Sequence, residues 1–169
     1  MAMKSPFSRL SPVDNREPAD MPAYLKADAF DPYEELLRYQ RSQLSAGSYG
    51  ATASFVGSMR DFNLDENVSR MTLEHYPSMT RHYLDQLCQS TIEQFHLEDC
   101  LVIHRYGDIR PGDPIVLTAA WSAHRAEAFD ACRHLMEQLK SKAPFWKKET
   151  TDDGERWVHN QSQDDTDSR

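Results

Sequence analysis

The sequence predicts an α+β fold with a largely antiparallel sheet. Three observations predict it. Short runs rich in small, β-branched and aromatic residues come in pairs, at residues 50–57 and 68–76 and again at 101–106 and 115–121. Segments with apolar residues at helical spacing stand before, between and after those pairs. A last short pair, around residues 145–158, turns back on itself at Asp153 and Gly154. The order is helix, two strands, helix, two strands, helix and a small hairpin. Paired strands separated by helices fit an antiparallel sheet with packed helices.

The first helix opens at Asp31 and Pro32, an N-cap followed by a residue preorganised for the first turn. Its stripe is Tyr33, Leu36, Leu37 and Tyr39, and it is expected to end near Gly47. Residues 60–67 are polar and read as a loop. In the next strand Met71, Leu73 and His75 alternate with Arg70, Thr72 and Glu74, so one face should be buried. Pro77 starts a long helix with Met79, Tyr83, Leu87, Ile92 and Phe95 as its apolar stripe. Residues 110–113, Arg-Pro-Gly-Asp, have the chemistry of a turn. A third helix runs from His124 to about Lys142, with Phe129, Cys132, Met136 and Leu139 on one face, and Pro144 ends it.

The chain has 169 residues, which fits one domain with tails. Residues 1–22 are rich in proline, serine and charge and read as a flexible arm; residues 159–169 read as a polar, acidic tail. The folded unit is expected at 23–158. A net charge of -8 argues against a nucleic-acid-binding face, so any cationic pocket must come from a few placed residues. No apolar run approaches the roughly 20 residues of a membrane span, and the first residues lack the apolar core of a secretory signal. Cys88, Cys100 and Cys132 are odd in number and match no zinc-knuckle spacing. They read as reduced, core-filling residues of a cytoplasmic protein.

Three segments carry candidate chemistry. Ser122-Ala-His124-Arg125 stands at a strand-to-helix junction, where free N–H groups favour an anion and cations are otherwise disfavoured. A surface arginine beside a capping histidine is the plainer reading. Between Lys140 and Glu149, four lysines surround Pro-Phe-Trp. Lysine near apolar groups suits acid–base or covalent work, although a helix C-terminus also attracts cations for purely structural reasons. Arg60 follows a strand end, where it can clamp a phosphate or simply face water. His104 and Arg105 lie within a strand, point to opposite faces and read as structural. No histidine spacing fits a metal site, His75 and His82 being separated by a proline. Neither a metal nor a cofactor is expected.

Taken together, residues 50–57 (GATASFVG) with Met59 and Arg60, 73–79 (LEHYPSM), 103–107 (IHRYG), 111–113 (PGD), 122–125 (SAHR), 139–140 (LK), 143–149 (APFWKKE) and 154–158 (GERWV) resemble the large subunit of molybdopterin synthase. The resemblance spans about residues 48–158 in order. It implies an α/β hammerhead fold with an added small β subdomain. It also implies a homodimer, each end of which binds a small ubiquitin-like subunit ending in a Gly-Gly thiocarboxylate, giving a heterotetramer. The implied reaction passes sulfur to cyclic pyranopterin monophosphate, forming the dithiolene of molybdopterin. The matched substrate-binding positions are Arg60, His124, Arg125, Lys140, Lys147, Lys148 and Glu149. Ser58 departs from the lysine frequent in the family and removes one phosphate contact.

Within that reading Lys140 takes the proton-transfer or transient covalent role, and Lys147 holds the incoming tail or a developing charge. Phe55, Met136 and Phe145 are candidates for a groove that guides the partner's tail; for Phe55 a core position is equally expected. His124 and Lys140 lie 16 positions apart on one helix, about 24 Å at 1.5 Å per residue. A pterin cannot bridge that span, so active sites are expected between two subunits. A non-catalytic scaffold for a ubiquitin-like tail would not need Arg60 together with His124 and Arg125. A hydrolase would need a metal site or nucleophile triad, for which there is no motif.

Overall fold

The computed structural model of the chain describes residues 22–63 and 66–158. The expected tail, and the arm up to residue 21, lie outside the described residues. In order the elements are β1 (Ala23–Lys26), α1 (Pro32–Gln43), β2 (Ala51–Ser58), β3 (Phe62–Asn63), β4 (Glu66–His75), α2 (Pro77–Phe95), β5 (Asp99–Arg105), β6 (Gly107–Ile109), β7 (Pro114–Ser122), α3 (Arg125–Lys142), β8 (Phe145–Thr151) and β9 (Gly154–Val158). The α+β class stands.

The main sheet has the order β1-β5-β7-β2. Only β1 runs parallel to its neighbour, β5; β5–β7 and β7–β2 are antiparallel. The second sheet has the order β3-β4-β8-β9, with β6 also on β4, and is antiparallel throughout. It is the small added subdomain. Two corrections follow. The expected polar loop at 60–67 contains paired residues, because Phe62 faces Asn67 and Asn63 faces Glu66. β1 and β6 had too few residues to register as periodic patterns; backbone pairing with β5 and β4 makes them strands.

β7 is buried along most of its length and separates two cores. On one face Val116 and Ala120 pack with Ala53, Leu84, Cys88, Ala128, Ala131, Leu135 and Leu139, beneath α2 and α3. On the other, Leu117, Ala119 and Trp121 pack with Tyr24, Tyr39, Leu101 and Ile103, beneath α1. Tyr39 stacks on Trp121 at 5.5 Å between ring centres and donates its hydroxyl to Asp99 at 2.9 Å. Asp31 caps α1 as expected, accepting from the N–H groups of Tyr33 and Glu34. The helix stops at Gln43, short of Gly47.

Of the expected helix stripes, Tyr39, Leu87, Cys132 and Leu139 are buried and Leu36, Tyr83, Ile92, Phe95 and Met136 pack partly buried against the cores, while four members need correction. Tyr33, Leu37, Met79 and Phe129 are exposed. The buried positions of α2 are Thr80, Leu84, Leu87, Cys88 and Thr91, and those of α3 are Ala128, Ala131, Cys132, Leu135 and Leu139. Small Thr80, Thr91, Ala128 and Ala131 share the inner faces with Leu84, Leu87, Leu135 and Leu139. Thr91 satisfies its buried hydroxyl by donating to Leu87 O at 2.7 Å. All three cysteines are free and buried, which fits their core-filling role.

Candidate active site

The β2–β7 ladder fixes where the candidate residues stand. Ala51 pairs with Ser122 and Ser58 with Pro114, so the two strands present opposite ends of one ladder. Seven steps along β2 span about 23 Å. His124 and Arg125 follow Ser122 at one end; Arg60 follows Ser58 at the other.

α3 then returns along the sheet. Its Cys132 lies at mid-helix beside Thr118 at mid-strand, sulfur to hydroxyl 3.5 Å. Lys140 is therefore carried toward the Pro114 end, where Arg60 stands. β8 starts at the same end: the Phe145 ring stacks on His104 at 4.0 Å, and His104 pairs with Val116. By this course Lys140 and the start of β8 lie toward the Arg60 end, and His124 with Arg125 lie at the other. This separation of His124 and Arg125 from Lys140 within one chain is the one expected from their spacing along α3.

Each end is locked by backbone contacts. Met59 donates its N–H to Asp113 O at 2.9 Å and accepts from Gly112 N at 2.8 Å, so the turn at 110–113 holds the residue before Arg60. That turn is itself held by Arg105, which is buried and pairs with Asp113 at 3.1 Å. The N–H of Arg110, with help from Arg105, keeps the Asp113 carboxyl below the usual carboxylate range. At the other end Gly50 donates to Ser122 O at 2.9 Å. A Cβ on Gly50 would sit 2.4 Å from Ala123 O, directly before His124.

Exposure divides the cations. Arg60, His124, Arg125 and Lys140 are exposed, and their side chains have no hydrogen-bond or ion-pair partner among the described residues. Lys147 and Lys148 are engaged. Strand alternation sends them to opposite faces. Lys147 joins Glu149 on the inner face, Nζ to Oε1 3.1 Å. Lys148 pairs outward with Glu155 at 3.3 Å and lies 5.8 Å above the Trp157 ring. Glu149 is 3 % exposed, with both oxygens held by side chains: Oε1 by Lys147 and by Asn63 at 2.8 Å, Oε2 by Arg156 at 3.0 Å.

Among the groove candidates, Phe55 is 46 % exposed and is not a core residue. It shares its strand face with Ala53, which packs beneath α3. Met136 and Phe145 are half-buried against the same core. β2 is an edge strand, so its outer backbone edge is unpaired among the described residues. Within those residues no cluster of three histidine, cysteine or acidic side chains is arranged for a metal, and no helix is long and apolar enough to cross a membrane.

Against known families, the profile described as MoaE protein matches residues 26–142. The chain belongs to the MoaE family. Among its relatives, the molybdopterin synthase catalytic subunit of Ralstonia nicotianae is 54 % identical over 109 residues, 64 % of this chain and 62 % of that protein. The solved MoaE protein of Burkholderia ambifaria superposes with a TM-score of 0.70 at 39 % identity, covering 86 % of this chain and 93 % of that one. A complex of subunits 1 and 2 of the molybdopterin-converting factor from Helicobacter pylori shares the fold, with a TM-score of 0.67 at 20 % identity over 80 % of this chain and 89 % of that one. The family places this MoaE chain among catalytic subunits of molybdopterin synthase, in molybdenum-cofactor biosynthesis.

The sequence assigned no role in the site to Gly50, Asn63, Asp113 or Arg156. Arg156 was accessible in principle: a two-residue turn at 152–153 puts Glu149 opposite it in the hairpin. The others depend on contacts between segments far apart in the chain.

Proposed function

We propose that this chain transfers sulfur from the C-terminal thiocarboxylate of a small ubiquitin-like subunit to cyclic pyranopterin monophosphate, forming the dithiolene of molybdopterin. The reading is supported by exposed Arg60 and Lys140, which have no side-chain partner among the described residues and which the course of α3 along the β2–β7 ladder carries toward one end of the main sheet, where β8, the strand of Lys147, begins. Free cations at that end suit a substrate bearing a cyclic phosphate. A thiocarboxylate is an ionised nucleophile at neutral pH, so the protein's task is to place it, move protons and release the spent carboxylate. Lys140 takes the proton-transfer or transient covalent role and Lys147 holds the tail or a developing charge. The partner's tail runs along Phe55, Met136 and Phe145, where the free edge of β2 offers backbone pairing to an extended peptide. The name of the Helicobacter pylori complex supports a second subunit of this kind.

His124 and Arg125 complete the site from a second copy of the chain. Their separation from Lys140 along α3, about 24 Å, and along the β2–β7 ladder supports a homodimer with shared sites. Lys148, turned to the opposite face from Lys147, serves the pterin only from such a partner or after breaking its contact with Glu155. The substrate role of Glu149 is to hold Lys147 rather than to touch the pterin, since its carboxylate is buried.

The deciding experiment mixes the chain with thiocarboxylated small subunit and cyclic pyranopterin monophosphate and assays the dithiolene pterin. Product forms with the native chain and is lost in Lys140→Ala, which folds normally. Stable binding of the small subunit without product would favour a scaffold role. Near-normal turnover in Lys140→Ala would remove that lysine from the chemistry.

A further inference from the structure

We infer that Arg156, assisted by Asn63, is a positioning residue for Lys147 and acts through the buried carboxylate of Glu149. This rests on the reading that Lys147 works in sulfur transfer. The geometry is specific. β8 and β9 place Glu149 opposite Arg156, and β4 closes the other side of β8, with Met71 facing Glu149. Arg156 reaches Glu149 Oε2 with both Nε, at 3.2 Å, and Nη2, at 3.0 Å. Its Nη1 pairs with Glu66 at 2.6 Å, and its Nη2 also donates to Asn63 O at 3.3 Å. Asn63 in turn donates its side-chain amide to Glu149 Oε1 at 2.8 Å, the same oxygen that accepts Lys147.

A lysine side chain carries its charge on four rotatable bonds and is poorly placed without an anchor. A buried carboxylate is a fixed anchor only if its other lone pairs are filled and its charge is shared. Arg156 and Asn63 do both. Burial alone would raise the Glu149 carboxyl, but bonds from Lys147 and Arg156 outweigh it and hold the group ionised, below its ordinary range. Arg156 also divides the pull of that anion. With Arg156 gone, Lys147 would be its main countercharge and would be drawn away from substrate. With it present, Lys147 keeps its place and can turn to an incoming anion.

The test uses the full-length chain with thiocarboxylated small subunit and cyclic pyranopterin monophosphate. Rates and melting curves are compared for the native chain, Arg156→Gln, Arg156→Lys, Asn63→Ala, Lys147→Ala and the Lys147→Ala/Arg156→Gln double variant. Arg156→Gln is expected to lower kcat by between about tenfold and a hundredfold, as misplacement of a reacting group does. KM for the pterin and affinity for the small subunit stay within about twofold. Arg156→Lys, which keeps the charge, recovers part of kcat. In the Lys147→Ala background the second change adds no further loss, because nothing remains to be positioned. Where Lys147→Ala turns over too slowly to follow at steady state, single-turnover rates with excess enzyme carry the same cycle. Multiplying losses, or a loss carried by affinity or by unfolding alone, overturn the inference. If Arg156→Gln does not fold, Asn63→Ala carries the same cycle. A Lys147→Ala chain as active as the native one would instead remove Lys147 from the reaction, a failure of the underlying reading.

Discussion

At Gly50 the absence of a side chain keeps the start of β2 against the residue before His124. Any Cβ there meets the Ala123 carbonyl oxygen at 2.4 Å, a distance that requires backbone movement. Gly50→Ala should therefore cost about 2 kcal/mol, in the range of overpacking changes, and lower the melting temperature by about 4 to 8 °C for a domain of this size. Thermal unfolding followed by circular dichroism measures it; an unchanged melting curve would mean that the loop at 123–124 shifts freely. Residue identity alone made Lys147 and Lys148 look equivalent. The strand separates them: one joins a buried carboxylate, the other an exposed one. The chemical types in the cluster were legible in the sequence, but the face on which each acts was set by pairing of β8 with β4 and β9.

At the scale of elements, the junction of the two sheets rests on an aromatic cluster. Phe145, the first residue of β8, lies against His104 of β5 and His75 of β4, with ring centres at 4.0 and 5.9 Å. Burial pushes the His104 pKa down to about 4, and burial also lowers that of His75. His104 is therefore neutral in the fold and offers Nδ1–H to Arg105 O at 2.8 Å. In the unfolded chain an imidazole protonates near pH 6.5. Between about pH 6.5 and 4 the unfolded state binds more protons, so stability must fall as pH falls through that window. Melting temperatures measured from pH 7 to 4 should show the decline, and His104→Phe, which keeps a ring against Phe145, should reduce it. An equally steep decline in that variant would assign the pH dependence to other groups. The helices show where periodicity alone misplaced a stripe member, at Met79 and Phe129. Thr80, Thr91, Ala128 and Ala131 occupy core seats that periodicity assigns to larger residues such as Met79 and Phe129. A helix lying close to a sheet favours small side chains at the contact, and periodicity does not report that distance.

At the scale of the molecule, the candidate cations lie toward opposite ends of the main sheet. Arg60 follows Ser58 at one end of the β2–β7 ladder, toward which α3 carries Lys140, and His124 with Arg125 follow Ser122 at the other. If two chains complete each site, mixing Arg125→Ala chains with Lys140→Ala chains should regenerate activity that neither has alone. Random pairing makes half the dimers mixed, each with one intact site, so about a quarter of native activity returns. Mixtures that remain inactive despite subunit exchange would show that each site is made by one chain.

Legible in the order of residues alone were the α+β class, the succession of the longer elements, the capping of α1 at Asp31 and the turn at 110–113. These follow from local propensity, periodicity and turn chemistry, which neighbouring residues carry. Long-range packing made β1, β3 and β6 strands, put Thr80, Thr91, Ala128 and Ala131 in the core, and brought Arg156 to Glu149 and Asn63. It also decided that the candidate cations divide between two ends. Those outcomes depend on pairing between distant segments, and on interlayer distances that a local pattern does not contain.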